Sequence, residues 1–292
     1  MKKVLALVAV VAMLALCLVG CGGNTAEGNS DPASKQKVKV INQPLSEEQY
    51  AFCIAKGNDD LRTKVNEYLA KIKADGTFDA ICNNYFGDGT PNKYEVCKRD
   101  NNKDQLIVAT STGFAPFELV DGGKFYGIDL EIAHGLAEYL GKELVIEDMQ
   151  FASVCTSVEK GLCDIGMSGL TITPARQKVL DFSDSYYSAN QVLIVPASNT
   201  EFDGCTTPAE VEAILKGKDA STKMGCQNGT TGAIYIKGDA EEEDGYGFEG
   251  LKVTQMTYDY AALAVTAMIN GEIDYVIIDD APANAIAKSV NK

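Results

Sequence analysis

Apolar runs of strand length alternate with amphipathic stretches of helical length through most of this chain. Leu106–Ala109, Leu144–Ile146 and Ile165–Met167 are short apolar runs, and Ile128–Leu140 and Ala152–Lys160 lie between them with apolar residues at helical spacing. This strand–helix–strand rhythm predicts an α/β fold, with a parallel sheet covered by helices. Val192–Val195 is a further strand, and a second set follows it. Helices are expected over Pro208–Lys216, Thr231–Lys237, Asp259–Asn270 and Pro282–Ser289, and strands over Lys223–Cys226, Lys252–Gln255 and Tyr275–Ile278. Ahead of both sets come strands Val38–Ile41 and Tyr50–Ala55. Helix Asp59–Lys73 follows, with Leu61, Val65, Tyr68, Leu69 and Ile72 on one face, and then a short helix, Phe78–Phe86. Gly161-Leu-Cys-Asp-Ile and Gly271-Glu-Ile-Asp-Tyr echo one another, each feeding a strand. Two lobes of like architecture with a cleft between them are expected.

The N-terminal end departs from this rhythm. Met1-Lys-Lys precedes an apolar run, Val4 to Val19, and Leu18-Val-Gly-Cys21 closes it. This reads as a secretory signal over residues 1–20 ending in a lipobox, with Cys21 the lipidated residue. Residues 21–36 are polar and read as a flexible tether. The alternative is an ordinary transmembrane anchor, for which the run is short. Extracytoplasmic placement, anchored to the cell membrane through Cys21, follows. Removing the signal leaves 24 basic and 41 acidic residues, a net charge of −17, which disfavours a nucleic-acid partner. Seven cysteines remain beyond Cys21, an odd number outside the membrane. Proximity along the chain suggests Cys82–Cys97, Cys155–Cys163 and Cys205–Cys226, with Cys53 free. There is no CxxC and a single His, His134, so no metal or other cofactor is expected. Gly238 to Gly250 is an acidic loop, read as solvated in preference to a calcium site.

The candidate chemistry sits at strand ends, where open α/β sheets bind ligands. In Ser168 to Ser183, Thr173 reads as an N-cap, Pro174 as the first helical residue, and Arg176 falls in the first turn. A guanidinium beside free backbone N–H groups suits a carboxylate, and Thr171 adds a hydroxyl. The competing reading is a capped surface helix with Arg176 in water. Ser111 and Phe114 follow the strand Leu106–Ala109, and Phe151 opens a helix, each as suited to core as to a ligand wall. Gln227-Asn-Gly-Thr-Thr231-Gly232 can hold an anion but lacks a P-loop lysine. Asp280 can take an ammonium group or serve as an N-cap. Together these residues complement a zwitterionic amino acid.

The chain resembles the extracytoplasmic solute-binding proteins of amino-acid ABC transporters, the polar amino-acid family. The resemblance rests on Ala109-Thr-Ser-Thr-Gly-Phe-Ala-Pro-Phe-Glu118, Gly127-Ile-Asp-Leu130, Gly169-Leu-Thr-Ile-Thr-Pro-Ala-Arg176, Val179-Leu-Asp-Phe-Ser183, Gln227 to Gly232 and Asp280-Ala-Pro282. It implies a two-lobe, periplasmic-binding-protein-like (type II) fold, each lobe a mostly parallel sheet flanked by helices. It implies that Arg176 clamps an α-carboxylate with help from Thr171 and Thr231. The carbonyl of Gly169 and the carboxylate of Asp280 then hold the α-ammonium, and Ser111, Phe114 and Phe151 line the side-chain pocket. Ser111 stands where relatives for basic amino acids often carry an acid, which favours a polar or neutral ligand. The implied partners are that amino acid and an ABC permease, with the receptor itself a monomer and not an enzyme. A dehydratase-like enzyme on the same fold and an amino-acid-sensing lipoprotein without transport are the alternatives.

One departure from the family is order. Leu45-Ser-Glu-Glu-Gln-Tyr50 through Asp75-Gly-Thr-Phe78 to Tyr85-Phe-Gly87 resembles the family's closing segment, yet here it comes first. The chain therefore reads as circularly permuted, with 87–103 joining the family's usual termini. Lobe 1 is then continuous over 50–191. Lobe 2 is discontinuous, 37–46 plus 192–292, and the hinge falls near 46–50 and 190–192.

Overall fold

The buried apolar runs become strands of two separate five-stranded sheets in the computed structural model, which describes residues 36–292. The predicted signal, the lipobox Cys21 and nearly all of the tether lie outside the described residues. In the first sheet the strand order is β7 (Glu143–Asp148), β4 (Gln105–Thr110), β8 (Ile165–Gly166), β3 (Cys53–Ala55), β9 (Leu180–Phe182). In the second it is β1 (Val38–Ile41), β11 (Gln191–Pro196), β14 (Tyr275–Asp279), β12 (Lys223–Gln227), β13 (Thr254–Tyr258). Every residue of β4 and of β14 is buried, as strands covered on both faces require. Helices α1 (Asp59–Ala74), α2 (Thr77–Phe86) and α3 (Ile128–Leu140) cover one face of the first sheet, and α4 (Phe151–Glu159) the other. On the second sheet α8 (Ala261–Ile269) and α9 (Asp280–Val290) lie opposite α6 (Pro208–Lys216) and α7 (Thr231–Lys237).

Local chemistry sets the helix boundaries. Asn58 caps α1 through its side chain, with Asp59 and Asp60 in the first turn. Thr207 and Glu210 form a reciprocal capping box on α6. Thr173 caps α5 (Pro174–Val179), with proline in its first turn, as the sequence predicts.

Three differences concern the strands. The expected strand Tyr50–Ala55 is divided into β2 (Glu48–Tyr50) and β3, because its two halves serve different sheets. β2 pairs antiparallel with β10 (Tyr187–Ala189) in a two-stranded ribbon where the chain crosses between the lobes. Each large sheet is also more mixed than expected. β7, β4 and β8 are mutually parallel, as are β14, β12 and β13, while β3, β9, β1 and β11 pair antiparallel. The antiparallel strands adjoin the crossings, where the chain enters a sheet from the other lobe. The hairpin of β5 (Leu119–Asp121) and β6 (Lys124–Tyr126) has no counterpart in the expected pattern.

The two ends of the described chain meet. β1 pairs with β11, α9 packs on both strands, and the Asn291 carboxamide accepts from the Lys37 and Val38 N–H groups at 2.7 and 3.1 Å. It also donates to the Val38 carbonyl at 2.8 Å. The stretch 87–103 is strapped to the first lobe. Asn92 donates through its backbone and side chain to the buried Glu131 of α3, and Tyr94 exchanges backbone bonds with Phe125.

The expected disulfides are not formed. All seven cysteines beyond Cys21 are thiols, so Cys82–Cys97, Cys155–Cys163 and Cys205–Cys226 are corrected. Cys155 of α4 faces β3 instead, where the Cys53 thiol donates to its sulfur. That bond and the nearby Arg176 charge bring the Cys155 thiol down to about 7 against the effect of burial. Neighbours along the chain were the wrong guide, because α4 turns Cys155 toward the sheet and away from the loop that follows.

Candidate functional site

The ends of β4 and β8 and the start of α5 present one wall of the cleft. Thr171 is buried behind β8, and its carbonyl accepts from Arg176 Nη1 at 2.6 Å. Arg176 Nη2 reaches the carbonyl of Gly229 on the other lobe at 3.0 Å. The guanidinium carbon lies 5.5 Å from the centre of the Phe151 ring, so the side chain is held by an aromatic face as well as by hydrogen bonds. Gly169 adopts a left-handed φ of +52° with the Phe114 ring against it, where an added Cβ would lie 3.0 Å from that ring. Ser111 donates its backbone N–H to Ser168 Oγ, and its own hydroxyl is buried without a partner. Phe114 packs against the cores of both lobes.

The second lobe supplies Thr231 at the start of α7, Gln191 at the start of β11 and Asp279 at the end of β14. The Thr231 hydroxyl accepts from Gln191 Nε2 at 3.1 Å and donates to Glu48 Oε2 at 2.7 Å. The Thr171 hydroxyl donates to that same oxygen at 2.6 Å. Asp279 is buried, and Tyr50 of β2 donates its hydroxyl to Asp279 Oδ1 at 2.5 Å. Burial, and then the negative charge of Glu48, push the Asp279 carboxyl up to about 7, with the Tyr50 hydrogen bond opposing them.

A third layer supports the Gly169 turn. Asp129 of α3 accepts the Gly169 N–H at 2.9 Å and the Tyr186 hydroxyl at 2.6 Å. Burial raises Asp129 to about 6, and burial together with Asp129 holds the fully buried Glu118 well above the carboxylate range. Both Glu118 carboxyl oxygens are buried without a hydrogen-bond partner. Asp129 thus ties the Gly169 turn to α3.

Seven of the eight sequence-predicted residues, Ser111, Phe114, Phe151, Gly169, Thr171, Arg176 and Thr231, lie along this connected set. Asp280 does not. Its carboxylate accepts from its own helix at Ala281 N–H (2.7 Å) and from Asn190 Nδ2 (3.3 Å). It lines an outer depression with Tyr85, Phe86 and Tyr187. The residue at the cleft is its neighbour Asp279, because the last residue of a buried strand points inward and the first of the helix turns out. Glu48, Tyr50 and Gln191 were missed as well. They are polar residues at the lobe crossings, and no local sequence signal marks them, because their partners come from distant segments. The acidic loop also contributes across the cleft. Asp239 ties it by accepting the N–H groups of Tyr246, Gly247 and Phe248, and Asp244 pairs with Lys178 of α5. Among the described residues no acidic, His and Cys cluster has the make-up of a metal site, and no helix is long and apolar enough to cross a membrane.

A model of the bacterial extracellular solute-binding proteins, family 3, matches residues 106–237. The arginine-binding extracellular protein ArtP of Bacillus subtilis (strain 168) is 35% identical over 133 residues, 43% of this chain and 52% of that protein. ABC transporter arginine-binding protein 1 of Escherichia coli (strain K12) is 27% identical over 187 residues, 64% of this chain and 68% of that one. The match thus spans about half the length of the Bacillus relative. Among solved structures, a point mutant of arginine-bound ArgBP from T. maritima is 30% identical with a TM-score of 0.51, covering 64% of this chain and 78% of that one. The ancestral amino acid-binding protein AncCDT-1, a precursor of cyclohexadienyl dehydratase, is 29% identical with a TM-score of 0.54, covering 64% and 74%.

Proposed function

The chain belongs to the bacterial extracellular solute-binding proteins, family 3, and from that premise we propose that it is a receptor which closes around an α-amino acid and delivers it to an ABC importer. The observation that carries the reading is the opposition of Arg176, on the first lobe, to Asp279, on the second. The guanidinium takes the α-carboxylate, Asp279 takes the α-ammonium, and Phe114 and Phe151 wall the side chain. Contacts divided between two lobes favour the closed state, as hinge closure requires. The ribbon of β2 and β10, near 46–50 and 190–192, is the hinge.

L-arginine is the first ligand to try, in place of the neutral one that Ser111 suggested. Relatives named for arginine support it. A thermal-shift panel of the twenty amino acids tests the reading. A true ligand at about 100 times its Kd stabilises by about 2.7 kcal/mol. Arg176→Ala loses roughly 2–5 kcal/mol of affinity in calorimetry, because a desolvated carboxylate is left unpaired. A panel without a hit, or an Arg176→Ala variant that binds like wild type, overturns it. Co-purification of a permease and its ATPase tests delivery, and labelled fatty acid lost in Cys21→Ala tests anchoring.

The circular permutation belongs to the same reading. It is supported by the order of the resembling segments, by the meeting of β1 with β11, and by alignments confined to about two thirds of the chain. An enzyme of dehydratase type is the second reading. Asp279, a buried carboxyl that burial and the charge of Glu48 push up to about 7, is the feature in its favour, and turnover of the bound amino acid decides it.

A further inference from the structure

Glu48 is a carboxylate on the ribbon between the lobes, 1% exposed. Its Oε1 accepts the Ser46 hydroxyl at 2.8 Å. Its Oε2 accepts the hydroxyls of Thr171, on one lobe, and Thr231, on the other, at 2.6 and 2.7 Å. One oxygen of one side chain therefore joins the two walls of the cleft. Hydroxyl bonds to a carboxylate at this length are the strong kind, and they make up for solvation that burial removed. Both threonines also belong to the carboxylate end of the proposed site. The Thr171 carbonyl holds Arg176, and Thr231 stands two residues beyond Gly229, whose carbonyl holds the same guanidinium. With its hydroxyl committed to Glu48, Thr171 presents its backbone carbonyl, and not its side chain, to Arg176. Separating the lobes draws Thr171 and Thr231 apart, and Glu48 cannot follow both.

The geometry points to Glu48 as a closure latch, a positioning residue that couples the closing of the lobes to the assembly of the carboxylate pole. The inference deepens the receptor reading and rests on it. Glu48 does not touch the ligand. It acts through the two threonines, and its bonds exist together only in the closed form. Interactions made in one of two states shift the balance toward that state by their full differential strength. The latch therefore slows ligand release and has little effect on ligand entry.

The test compares the full chain with Glu48→Gln, Glu48→Ala and Thr231→Val, using L-arginine as probe in stopped-flow kinetics. Nitroxide labels introduced on unnatural amino acids at Lys160 and Lys237 avoid the native thiols and read the distance between the lobes. Glu48→Gln is expected to raise koff roughly ten- to a hundredfold, the loss of a charge-assisted pair, with kon changed less than threefold and the melting profile still cooperative. Its effect and that of Thr231→Val are expected to be non-additive, because both remove one bond. The label distances lengthen in Glu48→Gln without ligand. Unchanged koff and distances, or strict additivity, overturn the latch, and so does tighter binding by Glu48→Ala, which would make Glu48 a competitor of the ligand. If wild type binds no amino acid, the receptor reading falls, while the label distances still decide whether Glu48 holds the lobes together.

Discussion

At the scale of single residues, the cleft is governed by which carboxyls are charged. Asp279 has its pKa raised to about 7 by burial and by Glu48. A raised acid gives its full share of stability below its ordinary value near 3.8, and that share is lost as pH rises to about 7. Ligand affinity runs the other way, since an ammonium needs the ionised form. Binding is therefore expected to strengthen from pH 5.5 to pH 8. Calorimetry in two buffers of different ionisation enthalpy should show proton release at pH 6 and none at pH 8.5, and Asp279→Asn should abolish both trends. The placement of Arg176, Thr171 and Thr231 was legible in the sequence, because they sit beside caps and turns that their own neighbours announce. Asp279 and Asp280 were not separable that way. The choice between them depends on where the strand ends, and one residue of register reverses the direction of a side chain. Glu48 was invisible because its partners, Thr171 and Thr231, are brought to it only by tertiary structure.

At the scale of elements, the long buried strands and capped helices were readable, and the short crossing strands were not. β9 and β10 have three residues each, and their pairing is set by partners more than a hundred residues distant, Cys53–Ala55 and Glu48–Tyr50. The start of α3 shows how an element positions a site at one remove. Gly127 has φ +126°, and an added Cβ would stand 2.0 Å from the Phe117 carbonyl oxygen. Its N–H donates to the Tyr85 hydroxyl at 2.7 Å. Gly127→Ala is expected to destabilise the protein by about 3 kcal/mol in urea unfolding. It should also weaken ligand binding, because α3 carries Asp129 and Asp129 holds Gly169. Thr207→Ala on α6 removes a capping box far from the cleft, so about 1 kcal/mol of stability should go with affinity unchanged.

At the scale of the whole molecule, two lobes were foreseeable from the repeated strand–helix rhythm, but the distribution of segments between them was argued from resemblance. β1 lies in the sheet of β11 and β14. A rearranged chain, opened within 87–103 and closed by a short linker from Lys292 to Lys37, is expected to keep its fold and its affinity within about threefold, measured by calorimetry. Asn291 already holds Lys37 at 2.7 Å, so little new loop entropy is involved. The meeting of β1 with β11 also sets an order of events during synthesis. Every strand of the first sheet comes from one unbroken stretch, Cys53 to Phe182, and can pair as soon as that stretch has emerged. β1 emerges before all of it, yet its partner is β11 and its cover is α9, the last helix made. At about 5–20 residues per second, Val38–Ile41 waits roughly 8–30 s for β11, and longer for α9. Pulsed hydrogen exchange on the refolding full chain should find the amides of β4 and β7 protected before those of β1. During that interval β1 has neither its partner strand nor its covering helix.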